Sequence, residues 1–212
     1  MQKYLNRREA GAILAEALRG FANNINVIIL ALPRGGVPVA YEVSEALHAP
    51  LDVYIVRKLG VPGHHELAMG AIAQGGKPVF NKEIVDHLRV SKDEIDAVIA
   101  NETAELKRRE KVYRGDKPFP SLQNKIVILI DDGIATGATM KAAMMAVRQH
   151  EPQQVVVAVP VADVSVAQEF SHLADEFVCP MIVDNLHAVG LWYSDFSQTE
   201  DDEVRQLLGS NK

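Results

Sequence analysis

Cysteine is nearly absent from the 212-residue chain, and the one that occurs, Cys179, has no partner for an internal disulfide. No cluster of Cys and His has the spacing of a zinc site. Uninterrupted apolar runs are short, and none approaches the roughly 18 residues that a membrane span needs. The first 14 residues carry charges and lack the apolar core and cleavage site of a secretory signal. We therefore expect a soluble, cytoplasmic protein without a membrane partner.

Positive charge is also in short supply. Lys and Arg number 22 against 28 Asp and Glu, so the formal net charge is -6. Proteins that bind nucleic acid without reading its sequence are normally basic, so a nucleic-acid partner is disfavoured. The 48% hydrophobic content suffices for one compact core, whereas two full domains would be cramped in this length. We predict a single domain over residues 1–212.

Apolar runs of strand length alternate with amphipathic helix patterns along most of the chain. Such alternation is typical of βαβ units, in which helices cover both faces of a parallel sheet. The predicted fold class is therefore α/β, an open parallel sheet flanked by helices, with a core over about residues 26–181. Strands are predicted near Val27–Leu32, Leu51–Arg57, Lys125–Asp131, Val155–Pro160 and Phe177–Cys179.

Helix signals are clear at two places. Asn6 caps a predicted helix that should bury Ala10, Ile13, Leu14 and Ala17 on one face. Ser91 caps a long charged helix over residues 91–114. Residues 59–80 interrupt the strand and helix rhythm, because they are glycine-rich with a possible hairpin at Gly75 and Gly76.

The stretch VILIDDGIATGAT, Val127 to Thr139, carries the most chemistry in the sequence. An aliphatic strand runs into two aspartates, and a turn rich in glycine and threonine leads into the next helix. Amides at a helix start attract an anion, whereas carboxylates suit the cis hydroxyls of a ribose, directly or through Mg²⁺. The stretch therefore predicts a ribose 5-phosphate cradle. Its phosphate would bind at Ala135, Thr136, Gly137, Ala138 and Thr139, and its ribose at Asp131 and Asp132.

Two other nucleotide motifs are missing from the sequence. It has neither the G-x-x-x-x-G-K-[ST] loop nor the G-x-G-x-x-G dinucleotide fingerprint. In open α/β sheets, ligands bind beyond the carboxyl ends of the strands. The turn PRGG follows another predicted strand, and Gly35 and Gly36 allow successive N–H groups to converge on an anion beside Arg34.

The stretch VILIDDGIATGAT resembles the phosphoribosyl-diphosphate (PRPP) signature of type I phosphoribosyltransferases. LPRGGVPVA (Leu32–Ala40) resembles the pyrophosphate loop of that family, and YIVRKLG (Tyr54–Gly60) resembles the strand end before its mobile catalytic loop. The resemblance covers roughly Val27–Pro160, and a bacterial group of predicted phosphoribosyltransferases shares DDGIATGAT and AVG-WY-DFSQ. It implies the type I fold, a mobile loop at about 59–80 and a small C-terminal hood at about 182–200.

The resemblance also implies roles for individual residues. Asp131 and Asp132 would be catalytic and hold Mg²⁺, Arg57 and Lys58 would be catalytic, and Arg34, Gly35 and Gly36 would bind the diphosphate. The pyrophosphate loop of the family often contains a non-proline cis peptide, and the equivalent bond here is Pro33–Arg34. The residues of the hood that would bind the base are His187, Ala188, Trp192 and Asp195, with Tyr193 and Phe196 available for stacking.

By this resemblance the chain is a Mg²⁺-dependent homodimeric enzyme that joins PRPP to a nucleobase or related nitrogen nucleophile. Ala135 stands where hypoxanthine-type signatures carry an aspartate, and adenine- and uracil-type signatures often carry alanine, so the base stays open. His64, His65 and Glu66 are acid–base candidates, although adjacent loop histidines are more often simply exposed. The basic run Lys107, Arg108, Arg109 and Lys111 is better explained as a solvated helix face.

Two other functions are compatible with the motifs. A non-catalytic PRPP or nucleotide sensor would keep the phosphate cradle, but it would lose the pyrophosphate loop or the catalytic loop. PRGG and VRK are both present, which favours the enzyme. A PRPP-forming diphosphokinase normally needs two tandem copies of this fold, and the sequence contains one.

Overall fold

Five parallel strands form the centre of the molecule. The computed structural model describes residues 3–75, 77–88 and 90–210. The strands are β1 (Val27–Ala31), β2 (Leu51–Val53), β6 (Ile126–Ile130), β7 (Gln154–Ala158) and β9 (Glu176–Val178). Their order is β2-β1-β6-β7-β9, and every neighbouring pair is parallel. The predicted α/β fold with an open parallel sheet is confirmed.

Helices cover both faces of this sheet. They are α1 (Arg7–Ala17), α2 (Gly36–Leu47), α3 (Lys82–Leu88), α4 (Lys92–Arg114), α5 (Ala138–Arg148), α6 (Val164–Leu173) and α7 (Asp201–Ser210). One core cluster joins α1, α2, α4 and α7 to one face, and a second joins α5 and α6 to the other. Strands β1 and β6 are buried along their whole length, as their unbroken apolar runs predict. Among the described residues, no helix is long and apolar enough to cross a bilayer.

The buried face of α1 differs from the predicted one. Asn6 caps the helix as expected, because its side chain accepts hydrogen bonds from two first-turn amides. Ala10 and Leu14 are buried, but Ile13 is 41% exposed. The cause is Gly11, where a Cβ would lie 2.6 Å from the carbonyl oxygen of Val39 on α2. Close packing at this glycine turns the helix and leaves Ile13 outside the core.

The predicted strand Leu51–Arg57 is two strands in different sheets. After β2 the chain leaves the parallel sheet at Tyr54 and Ile55 and enters β3 (Val56–Val61). Strand β3 pairs antiparallel with β4 (His64–Ala73), which pairs with β5 (Val79–Phe80). Most of the predicted mobile loop, residues 59–80, therefore lies in an antiparallel sheet, in which Leu59 and Met69 are fully buried. Its mobility stays a prediction, and Gly76 of the proposed hairpin turn lies outside the described residues.

Two short strands in the C-terminal part of the chain form a separate two-stranded sheet. Strand β8 (Val161–Asp163) pairs in parallel with β10 (Met181–Val183), and a 3-10 helix follows at Val189–Trp192. An apolar cluster beneath it includes Tyr4, Leu186 and Tyr193. The main chain of Tyr4 is bonded on both sides to this part of the chain, since its N–H donates to Trp192 O and its carbonyl accepts from Ser194 N–H. Tyr4 is thus tied to the segment that is predicted to form the hood.

Strands β1 and β6 run side by side with five consecutive residue pairs and no bulge. The pairs begin at Val27 with Ile126 and end at Ala31 with Ile130. Both strands therefore end at the same level of the sheet. The turn after β1 and the turn after β6 are brought together by this register.

Candidate active site

The turn between β6 and α5 forms a small concave site. Its cavity of about 130 Å³ is lined by Asp131 and by the run from Gly133 to Met140. Gly137, the residue that caps α5, has a φ of 73°, which a glycine adopts without strain. The first helical N–H bond at this end runs from Lys141 to Gly137 O, so the amides of Ala138, Thr139 and Met140 have no helical acceptor. Free amides at a helix start are what the predicted phosphate cradle requires, and phosphate binding there stays a prediction.

The two aspartates stand at the mouth of this cavity. Both are half-buried, and the Oδ1 atom of Asp131 accepts a hydrogen bond of 2.8 Å from the N–H of Asp132. Burial raises the pKa of Asp131 well above its ordinary value, and the neighbouring Asp132 carboxylate raises it further. Burial also raises the pKa of Asp132, although the Arg7 guanidinium opposes this shift. Two adjacent, half-buried carboxylates repel each other, and a bound cation or hydroxyl donors would reduce this repulsion.

The turn after β1 packs directly on the aspartates. The Pro33–Arg34 peptide bond is cis, as the resemblance implies. A Cβ on Gly35 would overlap the carboxylate of Asp132, and one on Gly36 would lie 2.7 Å from the carbonyl oxygen of Ile130. The glycines therefore let the two turns touch. The N–H of Gly36 is already bonded to Leu32 O at 3.1 Å, so it is not one of the free amides that the motif predicts.

Two of the three basic side chains expected to bind the diphosphate form ion pairs with acidic residues outside the site. Arg34 Nη1 lies 3.6 Å from Asp201 Oδ1 and 4.0 Å from Glu200 Oε2, at the start of α7. Arg57 Nε lies 2.7 Å from Glu102 Oε2 on α4. Lys58 is exposed on β3. The backbone of Arg34 is at the site, but the side chains of Arg34 and Arg57 are directed at acidic partners, so a diphosphate would have to compete for them.

The four predicted base-binding residues do not share one surface. Trp192 is half-buried and, like Val189 and Ala135, packs on the apolar cluster that includes Tyr4 and Tyr193. A Cβ on Gly133 would lie 2.6 Å from a methyl group of Val189, so this segment touches the turn after β6. His187 and Ala188 are exposed. Asp195 is also exposed and lines a different cavity, of about 170 Å³, together with residues of α1 and α7. The placement of Trp192 agrees with a hood role, whereas a base contact by Asp195 would require movement.

The remaining candidates have ordinary surroundings. His64 is exposed at the start of β4, and the side chains of His65 and Glu66 lie outside the part of the chain that the structure describes. On α4, Arg108 and Arg109 each donate to Glu105 at 2.8 Å. These one-turn ion pairs fit the predicted solvated helix face.

Two residues at the site did not emerge from the sequence in these roles. Arg7 Nε lies 2.9 Å from Asp132 Oδ2, and only 12% and 14% of the two side chains are exposed. The hydroxyl of Tyr193, which the sequence suggests for stacking, instead donates to the carbonyl oxygen of Asp132 at 2.5 Å. The sequence contains only a weak indication that Arg7 pairs with a carboxylate. A cation in the first turn of a helix is disfavoured by the helix dipole, which hints at a local carboxylate partner.

Comparison with known proteins agrees with this geometry. Residues 62–190, more than half of the chain, match the family model described as a phosphoribosyl transferase domain. Two proteins from Mycobacterium tuberculosis strains, provisionally named phosphoribosyl transferases, are 44% identical over 98% of this chain and 47% of their own length. The chain thus spans about half the length of these curated relatives.

Solved structures give the same result for the fold. The crystal structure of TT1426 from Thermus thermophilus superimposes with a TM-score of 0.87 at 38% sequence identity, covering 98% of each chain. The AQ2163 protein from Aquifex aeolicus, at 13% identity and a TM-score of 0.50, covers 84% of this chain and 75% of its own, and it shows similarity of fold alone. With the cradle, the aspartate pair and the cis peptide already located, these matches show that the chain belongs to the phosphoribosyl transferase family and has the type I fold.

Proposed function

We propose that this chain transfers the 5-phosphoribosyl group of PRPP to a ring nitrogen of a nucleobase or related acceptor and releases diphosphate. The observation that carries the proposal is the contact between three elements: the phosphate cradle, the aspartate pair and the turn after β1. PRPP carries a 5-phosphate, two ribose hydroxyls and a diphosphate at C1′. The cradle suits the 5-phosphate, the aspartate pair suits the hydroxyls, and the turn after β1, which touches Asp132, would take the diphosphate.

The chemistry follows from this placement. The bond between C1′ and the diphosphate oxygen breaks, and its electron pair stays on the diphosphate. The lone pair of the ring nitrogen then forms the new bond to C1′, and the proton of the acceptor N–H passes to the released diphosphate or to water. Asp131 and Asp132 hold the hydroxyls beside the carbon that becomes positively charged, so they stabilise the transition state more than the ground state. Val189, which packs on Gly133 in the turn after β6, would help to exclude water, which competes as a nucleophile.

The donors at the site suit Mg²⁺ as a companion of the substrate. Within the described residues, no group of three or more His, Cys, Asp or Glu side chains is placed to hold a metal. Two adjacent carboxylates are nevertheless what Mg²⁺ uses when substrate phosphates and water complete its shell. Asp131 and Asp132 would hold it, and nearby positive charge favours the ionised form of the crowded pair. When bound, the ion would neutralise charge on the diphosphate.

A non-catalytic PRPP or nucleotide sensor is the second candidate. The observation that favours it is the pairing of Arg34 with Glu200 and Asp201 and of Arg57 with Glu102. A protein that only binds a nucleotide monophosphate has no need of these cations. Such a sensor would bind its ligand with the cradle and the aspartates, and the ion pairs of Arg34 and Arg57 would stay intact.

The test compares Asp132→Asn with wild type for PRPP affinity and for diphosphate release in the presence of Mg²⁺ and a panel of purine and pyrimidine bases. The substitution preserves shape and removes a charge beside the forming cation. An enzyme should lose about 10²–10³ in turnover, and its PRPP affinity should change less. Asp116→Asn, at an exposed loop position, removes the same charge and should behave as wild type. Tight PRPP binding by wild type without diphosphate release for any base would favour the sensor.

A further inference from the structure

One arginine reaches the aspartate pair from the far end of the chain. Arg7 Nε donates to Asp132 Oδ2 at 2.9 Å, and Arg7 Nη1 donates to the carbonyl oxygen of Ser197 at 2.7 Å. The guanidinium carbon lies 3.8 Å from the centroid of the Phe196 ring. One planar cation therefore joins a carboxylate of the site to two consecutive residues of the hood. Both Arg7 and its hood partners lie outside residues 62–190, the part of the chain that matches the family model.

The segment that carries Arg7 is itself tied to the hood and the core. Tyr4 Oη donates to the carbonyl oxygen of Pro160 at 2.8 Å, and the N–H of Asp195 donates to Leu5 O at 2.9 Å. The rings of Tyr4 and Tyr193 pack with centroids 5.5 Å apart. Since Tyr193 donates to the carbonyl oxygen of Asp132, this aspartate is held at its main chain and at its side chain by one connected structure. Arg7 thus approaches Asp132 from a fixed position.

We propose that Arg7 is a positioning residue for ribose recognition: it holds the Asp132 carboxylate in one direction, and it links that direction to Phe196 and Ser197 of the hood. The inference rests on the proposed binding of a phosphoribosyl group in the cradle. With Oδ2 held by Arg7, the remaining oxygen of Asp132 and the carboxylate of Asp131 face the ribose hydroxyls. Without Arg7, two adjacent half-buried carboxylates would repel each other with no cation in contact, and the Asp132 side chain would turn away from its present direction.

The probes separate the ribose from the phosphate. Ribose 5-phosphate uses both the cradle and the aspartates, whereas inorganic phosphate uses the cradle alone. Partners that orient a binding group typically contribute about 10–100-fold to affinity or activity. We therefore expect Arg7→Gln to weaken ribose 5-phosphate binding by at least about tenfold and to leave phosphate binding unchanged, as measured by titration calorimetry. Arg7→Lys keeps the positive charge, but lysine cannot donate to both Asp132 and Ser197 and also stack on Phe196. It should therefore bind ribose 5-phosphate more tightly than Arg7→Gln does and more weakly than wild type.

Two further variants control the test. Arg8→Gln removes the same charge one residue away, where the side chain is exposed and lies 3.4 Å from Glu42, and it should bind both probes as wild type does. In a double-mutant cycle, Arg7→Gln should add almost nothing to the loss caused by Asp132→Asn, because both changes remove the same interaction. A general loss of structure would instead weaken both probes and lower the melting temperature of the single variant.

The outcomes are distinct. If wild type binds ribose 5-phosphate and Arg7→Gln binds it equally well or better, or if the two losses add fully, the positioning role is overturned and the cradle stands. If wild type binds neither probe, the proposed function falls, and the role of Arg7 falls with it. If Arg7→Gln does not fold, Arg7→Lys decides: a selective loss for ribose 5-phosphate supports the proposal, and unchanged affinity overturns it.

Discussion

Gly35 shows how little space separates the two turns of the site. Its φ of −59° and ψ of −32° are open to any residue, so alanine meets no backbone penalty there. Its Cβ, however, would overlap the Asp132 carboxylate and lie 2.8 Å from Asp132 Cγ. We expect Gly35→Ala to displace the turn or the carboxylate by about 1 Å, because the new Cβ would overlap Asp132 Oδ2. Such misplacement at a reacting centre costs on the order of 10²-fold in kcat/KM, measurable as diphosphate release.

Gly20→Ala is the matched control for this prediction. Gly20 lies in a short 3-10 helix, and a Cβ there would meet no atom within 4 Å. It should keep the activity of wild type, and both variants should keep a similar melting temperature. Full activity in Gly35→Ala would show that the contact between the two turns is not needed for the reaction.

Among the elements, α7 competes with the substrate for Arg34. Removing the acidic partners by Glu200→Gln and Asp201→Asn together should free this guanidinium for a diphosphate. Exposed ion pairs of this length contribute about 0–1 kcal/mol, so we expect PRPP affinity to rise by no more than roughly fivefold. Titration with PRPP in Mg²⁺ buffer measures the change. Asp202→Asn is the control, because Asp202 pairs with Arg205 in its own helix, and a rise there too would point to a general effect of net charge.

The three-stranded sheet β3-β4-β5 is the element that takes the place of the expected loop. Its pairing shifts register between Leu59 and Gly60 and again between Gly60 and Val61, and β5 has only two residues. Few and irregular hydrogen bonds between its strands favour opening of the three-stranded sheet as one unit. The chain would bend at Tyr54 and Ile55, where it leaves the main sheet. Hydrogen exchange should therefore be faster in β4 than in β6, and PRPP should slow it. Equal protection of β4 and β6 from hydrogen exchange, with or without PRPP, would rule out that β3-β4-β5 opens and closes over the site.

At the scale of the whole molecule, the homodimer that the resemblance to the family implies stays a prediction. One chain has a mass of 23.2 kDa. Light scattering during size exclusion should give twice that value over the micromolar range. A mass that stays at 23.2 kDa at every concentration would mean that the site functions within one chain.

How much of the molecule the sequence predicts depends on how local the signal is. The cradle is a strand end, a turn and a helix start within thirteen consecutive residues, so Val127–Thr139 predicts it well. The sequence does not reveal the boundary between β2 and β3. Tyr54 and Ile55, which separate the two strands, are apolar and fully buried, so they read as part of one strand. The contact between Arg7 and Asp132 joins residues 125 positions apart, and no periodic pattern encodes such a distance. The pairing of Arg34 with α7 escaped the sequence for the same reason.

The unbroken register of β1 with β6 limits how such a chain can change over evolutionary time. Adding or deleting one residue in either strand would shift one turn relative to the other by about 3.3 Å and invert every side chain between the two faces. The Gly35–Asp132 contact could not survive that shift. Among relatives, we expect substitutions in these strands but no change in their length. Insertions should fall in segments such as 115–125, where no described helix or strand depends on the spacing.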